Sequence, residues 1–136
     1  MESSVFEFSL VVTDEDIDEL RHVNNLTYLK WCLKAAVAHS ASVGWPASRY
    51  HEQGFGFVVR EHRIKYRDSA FDGDPLLIET WIESMKKASS LRKYRITNSD
   101  RSRVYVQAET NWAYVNLKTI ELCAIPTEIK EAFRNS

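Results

Sequence analysis

Two hydrophobic periods run through the chain. Val5 to Val12 places Val5, Phe6, Phe8, Leu10 and Val12 in loose alternation, which predicts a first strand. Thr13 to Arg21 is too acidic and unperiodic for either regular element and predicts a loop. Asn24 to Val43 then predicts a long helix, with Asn24 or Asn25 as a good N-cap and Gly44-Trp45-Pro46 as a stop. Its polar stripe is narrow (Thr27, Lys30, Lys34, Ala41), so the helix is expected to be mainly buried. A small domain buries such a helix most simply by wrapping a sheet round it.

Pro46 to Gln53 predicts a short helix or turn. From Gly54 the period becomes two. Strands are predicted at Phe55–Arg67, Leu76–Glu83, Leu91–Thr97 and Arg103–Val115. Turns fall at Asp72-Gly73-Asp74-Pro75 and Asn98–Arg101, with a connector at Met85–Ser90. On the third of these strands Arg92, Tyr94 and Ile96 share one side. Pro126 opens a short terminal helix that runs to Phe133. The expected order is one strand, one long helix and four strands in consecutive hairpins. That is an α+β fold: a single domain over residues 1–136, with an antiparallel sheet curled round one helix.

Composition narrows the function classes. The chain has 136 residues, 44% of them hydrophobic, with a formal net charge of -1. Nothing there points to nucleic acid or an acidic membrane surface. No apolar run is long enough to span a bilayer. Residues 1–8 lack a basic and then apolar signal pattern, so the expected location is cytoplasmic. Cys32 and Cys123 are too few for a disulfide framework and are expected as free buried thiols.

The chemistry concentrates between Asp16 and Trp31, where carboxylates, a histidine and two asparagines lead into the apolar helix. Asp18 has two readings there. It is either an acid favoured electrostatically near a helix start, or a base or nucleophile beside a carbonyl held on helix amides. His22 is either a hydrogen-bonding group or a participant. Asp16 and Glu15 fit solvated loop acids better. His39, His51 and His62 lack acids or cysteines at ligand spacing, so no metal site is expected. Cys32 lies about two turns down the helix and is expected as a core thiol.

The run Asp16-Ile-Asp18-Glu-Leu-Arg-His22-Val23-Asn24-Asn25-Leu-Thr-Tyr28-Leu-Lys-Trp31 resembles the signature of hotdog-fold acyl thioesterases. It is similar to the 4-hydroxybenzoyl-CoA thioesterase-like bacterial enzymes and to the plant acyl-ACP thioesterases. Val58-Val59-Arg60-x-His62-x-Ile64-x-Tyr66, Gly73-Asp74 and Thr110-x-Trp112 fit the same family, over about residues 5 to 133. The resemblance implies a five-stranded antiparallel sheet round a central helix, in homodimers or homotetramers with sites between subunits. It implies an enzyme of fatty-acid or related acyl metabolism, hydrolysing acyl-CoA or acyl-ACP without a cofactor. Asp18, His22 and Asn25 take the catalytic positions, with amides at Asn24 and Asn25 polarising the carbonyl. Val23, Asn24 and Tyr28 are assigned to the substrate.

Period-two alternation puts Arg60 and His62 on one strand face with Ile64 and Tyr66, at a dimer seam or near a partner's Asp18. Arg21, Lys86, Lys87, Arg92 and Lys93 are basic groups available to CoA phosphates, at positions usually solvated. The chain also departs from the pattern. Leu20 replaces the plant enzymes' asparagine, Ser69-Ala70 stands where they carry a Glu-Cys pair, and Arg21 replaces the usual glycine before the histidine. The simpler bacterial arrangement of one acid and a helix start is therefore expected. Two alternatives remain at this point: a non-catalytic acyl-CoA-binding hotdog module, and a hotdog dehydratase or hydratase.

Overall fold

The computed structural model describes residues 2–136; Met1, first residue of the expected 1–136 domain, lies outside them. The elements in chain order are β1 (Phe6–Val11), α1 (Asn25–Ser42), α2 (Ala47–Gln53), β2 (Phe55–Tyr66), β3 (Pro75–Met85), β4 (Ser89–Asn98), β5 (Val104–Asn116) and α3 (Thr127–Arg134). A single 3-10 turn at Asp14–Asp16 sits in the expected loop. The strands form one five-stranded sheet in the order β1-β3-β4-β5-β2, with every pair antiparallel. This is the expected α+β hotdog arrangement.

One expectation about connectivity fails. Only β3-β4 and β4-β5 are neighbours in consecutive hairpins; β2 crosses to pair with β5 at the far edge. The 67–74 connection is long enough to make that crossing, and it is fastened on the way. Arg67 N–H donates to the Tyr105 carbonyl at 2.8 Å, Val23 N–H to Ala70 at 3.0 Å and Gly73 N–H to Val12 at 2.9 Å. The segment thus ties the end of β1, the 13–24 loop and the start of α1 together.

Register shifts at Val59/Glu61 in β2, Ile82/Ser84 in β3 and Ile96/Thr97 along β4 curl the sheet, since bulges bend and twist strands. Into its concave face α1 lays Tyr28, Trp31, Cys32, Ala35, Ala36 and His39. These recur at helical three- and four-residue spacing. They pack on Leu76, Ile78, Tyr94, Ile96, Val106 and Ala108 of the central strands. A second cluster, Trp45, Ile82, Met85, Tyr114, Ile125, Ile129 and Phe133, fills the end of the groove under α3. The helix is less buried than the expected mainly buried element, whose polar stripe is narrow. Leu26 and Val37 are exposed, because a single sheet covers only one side. Cys32 is buried as expected, while Cys123 is only half-buried.

The outer face of the sheet is polar. Glu7 and Glu79 stand directly opposite each other on β1 and β3, a repulsive placement in a ladder. Arg101 pairs with both of them, and Arg95 Nη2 reaches Glu79 at 3.0 Å.

Candidate active site

The 16–25 segment folds back on itself just before α1. Ile17 and Val23 form an antiparallel bridge. Asp18 N–H donates to the His22 carbonyl at 3.1 Å, and Arg21 N–H to the Asp18 carbonyl at 3.0 Å. Arg21 is left-handed, with φ of 66°. A tight turn closing on a left-handed residue is a three-residue hairpin loop, and glycine is its natural occupant at that position. This explains in backbone terms the glycine that Arg21 replaces. Asp18 Oδ1 accepts from Leu20 N–H at 2.8 Å, so the turn itself fixes the orientation of the half-buried carboxylate.

Asn24 is the N-cap, its Oδ1 accepting from Leu26 N–H at 2.8 Å. The Thr27 amide bonds the Asn24 carbonyl at 2.9 Å. The Asn24 amide is already bonded to the Asp16 carbonyl at 3.0 Å and is not free for a ligand. Of the pair expected to polarise a carbonyl, the Asn25 amide is therefore the one left without a protein acceptor among the described residues. The Asn25 carbonyl accepts from Tyr66 Oη at 3.2 Å, which pins the end of β2 to the helix start. Asp16 is structural, its Oδ2 accepting from Thr13 N–H at 2.9 Å.

The other predicted residues divide. His22 is half-buried with its ring edge-on to Phe71, centroids 6.4 Å apart, and among the described residues its imidazole makes no hydrogen bond to the Asp18 carboxylate. Val23 is 1% exposed and sits in the core. Tyr28 is equally buried, and its hydroxyl accepts from Ala70 N–H at 3.0 Å. Burial raises its phenol above the ordinary range. Val23 and Tyr28 thus shape the entrance from behind. Arg60 does not share a face with His62 by simple alternation: it is the extra residue of the bulge between Val59 and Glu61, and it is exposed. His62 stays on the inner face, its Nδ1 2.8 Å from Thr110 Oγ1, and partial burial lowers its pKa. The Cys32 thiol is pushed up to about 12 by burial, which leaves it a core group without nucleophilic character.

At the other end of α1 lies a feature the sequence reading missed. A cavity of about 300 Å³ opens between α1, α2, the start of β2 and α3, lined by Ala36, Trp45, Phe57, Ile82, Arg92 and Phe133 among others. Arg92 was grouped with solvated basic residues but is 5% exposed. Its place on the same strand face as Tyr94 and Ile96 in the alternation is the available signal. Its Nη1 donates to His39 Nδ1 at 2.9 Å and to Thr80 Oγ1 at 3.0 Å. Burial lowers its pKa to about 10, so it remains a cation at neutral pH.

Among the described residues no group of three His, Cys, Asp or Glu side chains is placed to hold a metal. No helix there is long and apolar enough to cross a membrane. Residues 12–133 match the sequence model of the thioesterase-like superfamily. The chain belongs to that superfamily. Membership agrees with the enzyme class expected from the helix-entrance motif, a thioester hydrolase.

Among relatives, this superfamily member is 28% identical over 131 residues to an acyl-CoA thioesterase, YbgC, of Haemophilus influenzae, covering 96% of this chain and 95% of that protein. A 75-residue stretch, 55% of this chain, is 27% identical to a chloroplastic acyl-[acyl-carrier-protein] hydrolase, FATB3, of Cuphea viscosissima. That stretch spans only 18% of the plant protein's length. The fold is shared with a 1,4-dihydroxy-2-naphthoyl-CoA thioesterase, Slr0204, from Synechocystis: TM-score 0.88, 19% identity, 96% of each chain. It is shared too with SAV2348 from Staphylococcus aureus, solved in complex with CoA: TM-score 0.89, 17% identity, 99% of this chain and 85% of that one.

Proposed function

We propose that the chain hydrolyses acyl-CoA thioesters to a carboxylic acid and free thiol, with Asp18 as the reactive carboxylate. The observation that carries this is the loop geometry. Asp18 stands in the hairpin turn that leads into α1, its carboxylate held by Leu20 N–H, and the Asn25 amide at the start of that helix has no protein acceptor among the described residues. Asp18 takes a proton from water as its oxygen adds to the thioester carbon. The carbonyl oxygen, now an oxyanion, accepts from Asn25 N–H. One such donor is worth roughly 3 kcal/mol of barrier. The tetrahedral adduct collapses, the C–S bond breaks, and the thiolate leaves and is protonated. His22 lines the entrance against Phe71 and orients substrate rather than Asp18.

The working unit in this reading is a homodimer joined along β2. That strand has one unpaired edge over its whole length. An antiparallel two-fold pairing there satisfies the free backbone groups of both copies at once. It also brings the Tyr66 end of one chain against the Phe55 end of the other. Arg60 and His62 then fall near the two-fold axis, on the seam.

The test is thiol release across acyl-CoAs from acetyl to palmitoyl, with benzoyl and phenylacetyl, and with acyl-ACP as a second carrier. Asp18→Ala runs alongside. The expected result is turnover that falls roughly 10²- to 10⁴-fold in the variant, the range for loss of a general base. Near-wild-type turnover in a folded Asp18→Ala protein would sink the mechanism. Binding without hydrolysis in the wild type would select an acyl-CoA-binding module instead.

A further inference from the structure

Arg92 lines the cavity at the C-terminal half of α1 and is the one permanently charged group in that lining among the described residues. We infer that this cavity binds the far end of an acyl group that carries a second, terminal carboxylate, with the Arg92 guanidinium as its partner. The inference rests on the hydrolase reading above and names its substrate class: a thioester of a dicarboxylic acid.

A buried cation without an anion is costly, and burial that deep is normally accompanied by a paired carboxylate. Here none is paired with it. Among the described residues no Asp or Glu oxygen forms an ion pair with Arg92, and the acceptors it meets, His39 Nδ1 and Thr80 Oγ1, are neutral. His39 accepts through Nδ1, so its proton sits on Nε2 and the ring carries no charge. Both of those bonds leave from Nη1. A guanidinium has five N–H donors in a planar fork, which matches a carboxylate in bidentate fashion.

The surroundings point the same way. Trp112 lines the cavity, and its indole Nε1–H lies beside the buried Tyr94 hydroxyl, whose ionisation it favours. Ser90 and Tyr50 are also in the lining, the Tyr50 hydroxyl already 3.0 Å from Ser40 Oγ. The other polar groups of the lining carry no permanent charge, so the guanidinium is the group left to be matched by an acceptor with negative charge. The rest of the wall is apolar: Ala36, Trp45, Phe57, Ile82, Leu117 and Phe133. A phosphate carries nearly two negative charges at neutral pH, more than one guanidinium offsets. A carboxylate carries one. At about 30 Å³ per water-sized atom, the cavity holds on the order of ten heavy atoms. That suits a chain of six to eight carbons, as a rough match. In the β2-paired dimer proposed above, the Phe57 end of β2 lies toward the second copy's Tyr66 end, the end that is bonded to the helix start through the Asn25 carbonyl.

The experiment compares kcat/KM for length-matched pairs: adipyl-CoA with hexanoyl-CoA, and suberyl-CoA with octanoyl-CoA. The monomethyl ester of suberyl-CoA is the neutral control. The expected preference of the wild type for the free carboxylate is about 30-fold or more, the scale of a buried charged pair. Arg92→Met should collapse that ratio, mainly through KM, and Arg92→Lys should restore part of it. Equal or better turnover of the plain acyl-CoAs by the wild type overturns the proposal and leaves the hydrolase reading standing.

If no thioester is cleaved, the hydrolase reading fails, and the cavity is judged by binding alone. Suberate and octanoate are then titrated against the fluorescence of Trp45 and Trp112. Saturable suberate binding that is lost in Arg92→Met upholds the carboxylate site; equal or absent binding of the two acids overturns it.

Discussion

His39 gives the protein a measurable pH dependence. The ring is 2% exposed, stacked on Phe6 at 5.2 Å with Phe133 edge-on at 5.1 Å. Burial, and then the neighbouring Arg92 charge, lower its pKa from 6.5 to about 4. The folded state therefore resists protonation while the unfolded chain accepts it. Between pH 6.5 and 4 the unfolded state binds more protons, so stability rises with pH across that window. The stabilisation is complete above about pH 7 and fades as the pH falls through the unfolded value.

The full difference is on the order of 3 kcal/mol, at 1.36 kcal/mol per pKa unit. About 2 kcal/mol of it is lost by pH 5. His39→Gln keeps a side-chain acceptor for Arg92 and removes the titration. Urea unfolding of both proteins at pH 8.0, 6.5, 5.5 and 5.0 isolates the term, because every other group titrates alike in the pair. The wild type should lose about 2 kcal/mol more than the variant between pH 8 and 5. Parallel curves would refute the reasoning and show that the ring takes a proton in the folded state.

Substitutions at two further residues test the architecture of the helix entrance by denaturant unfolding. Arg21→Gly should leave stability unchanged or raise it by up to about 1 kcal/mol, since it relieves a left-handed non-glycine residue. Arg21→Val should lower it by more than about 1 kcal/mol, and equal effects from the two would remove the loop assignment. Tyr28→Phe leaves the Ala70 amide without its acceptor and should cost roughly 1–3 kcal/mol. A loss well below that range would mean the 67–74 connection re-satisfies the amide some other way.

The elements were largely legible in the sequence because each announces itself locally. α1 carries its own cap at Asn24 and its own stop at Gly44, and β3 to β5 alternate between clear turns. What was not legible depends on contacts between distant residues. Nothing within β2 says that it pairs with β5 rather than β3, because the pairing is set by where the 67–74 segment is fastened. The extra residue at Arg60 is invisible to a period-two reading, which assumes an unbroken ladder. The apolar residues of α1 gave its helical form but not which of them the sheet covers, so Leu26 and Val37 were misplaced. At the site the motif marked Asp18 and the helix start. The engagement of the Asn24 amide by Asp16 is a backbone detail that no residue type encodes. Arg92 was placed on the inward face by alternation, yet grouped with solvated bases because arginine is so rarely buried.

The two ends of α1 hold different parts of the proposed chemistry. About 16 Å of helix separates Asn25 from Ala36 at the cavity wall. In a β2-paired dimer each complete site draws its carboxylate from one copy and its anion receptor from the other. Two damaged genes can then repair each other. In a mixed dimer of one chain lacking Asp18 and one lacking Arg92, both lesions fall together in one site and leave the second intact. A cell carrying both alleles regains turnover of the dicarboxylic thioester at low substrate, in proportion to the share of mixed dimers.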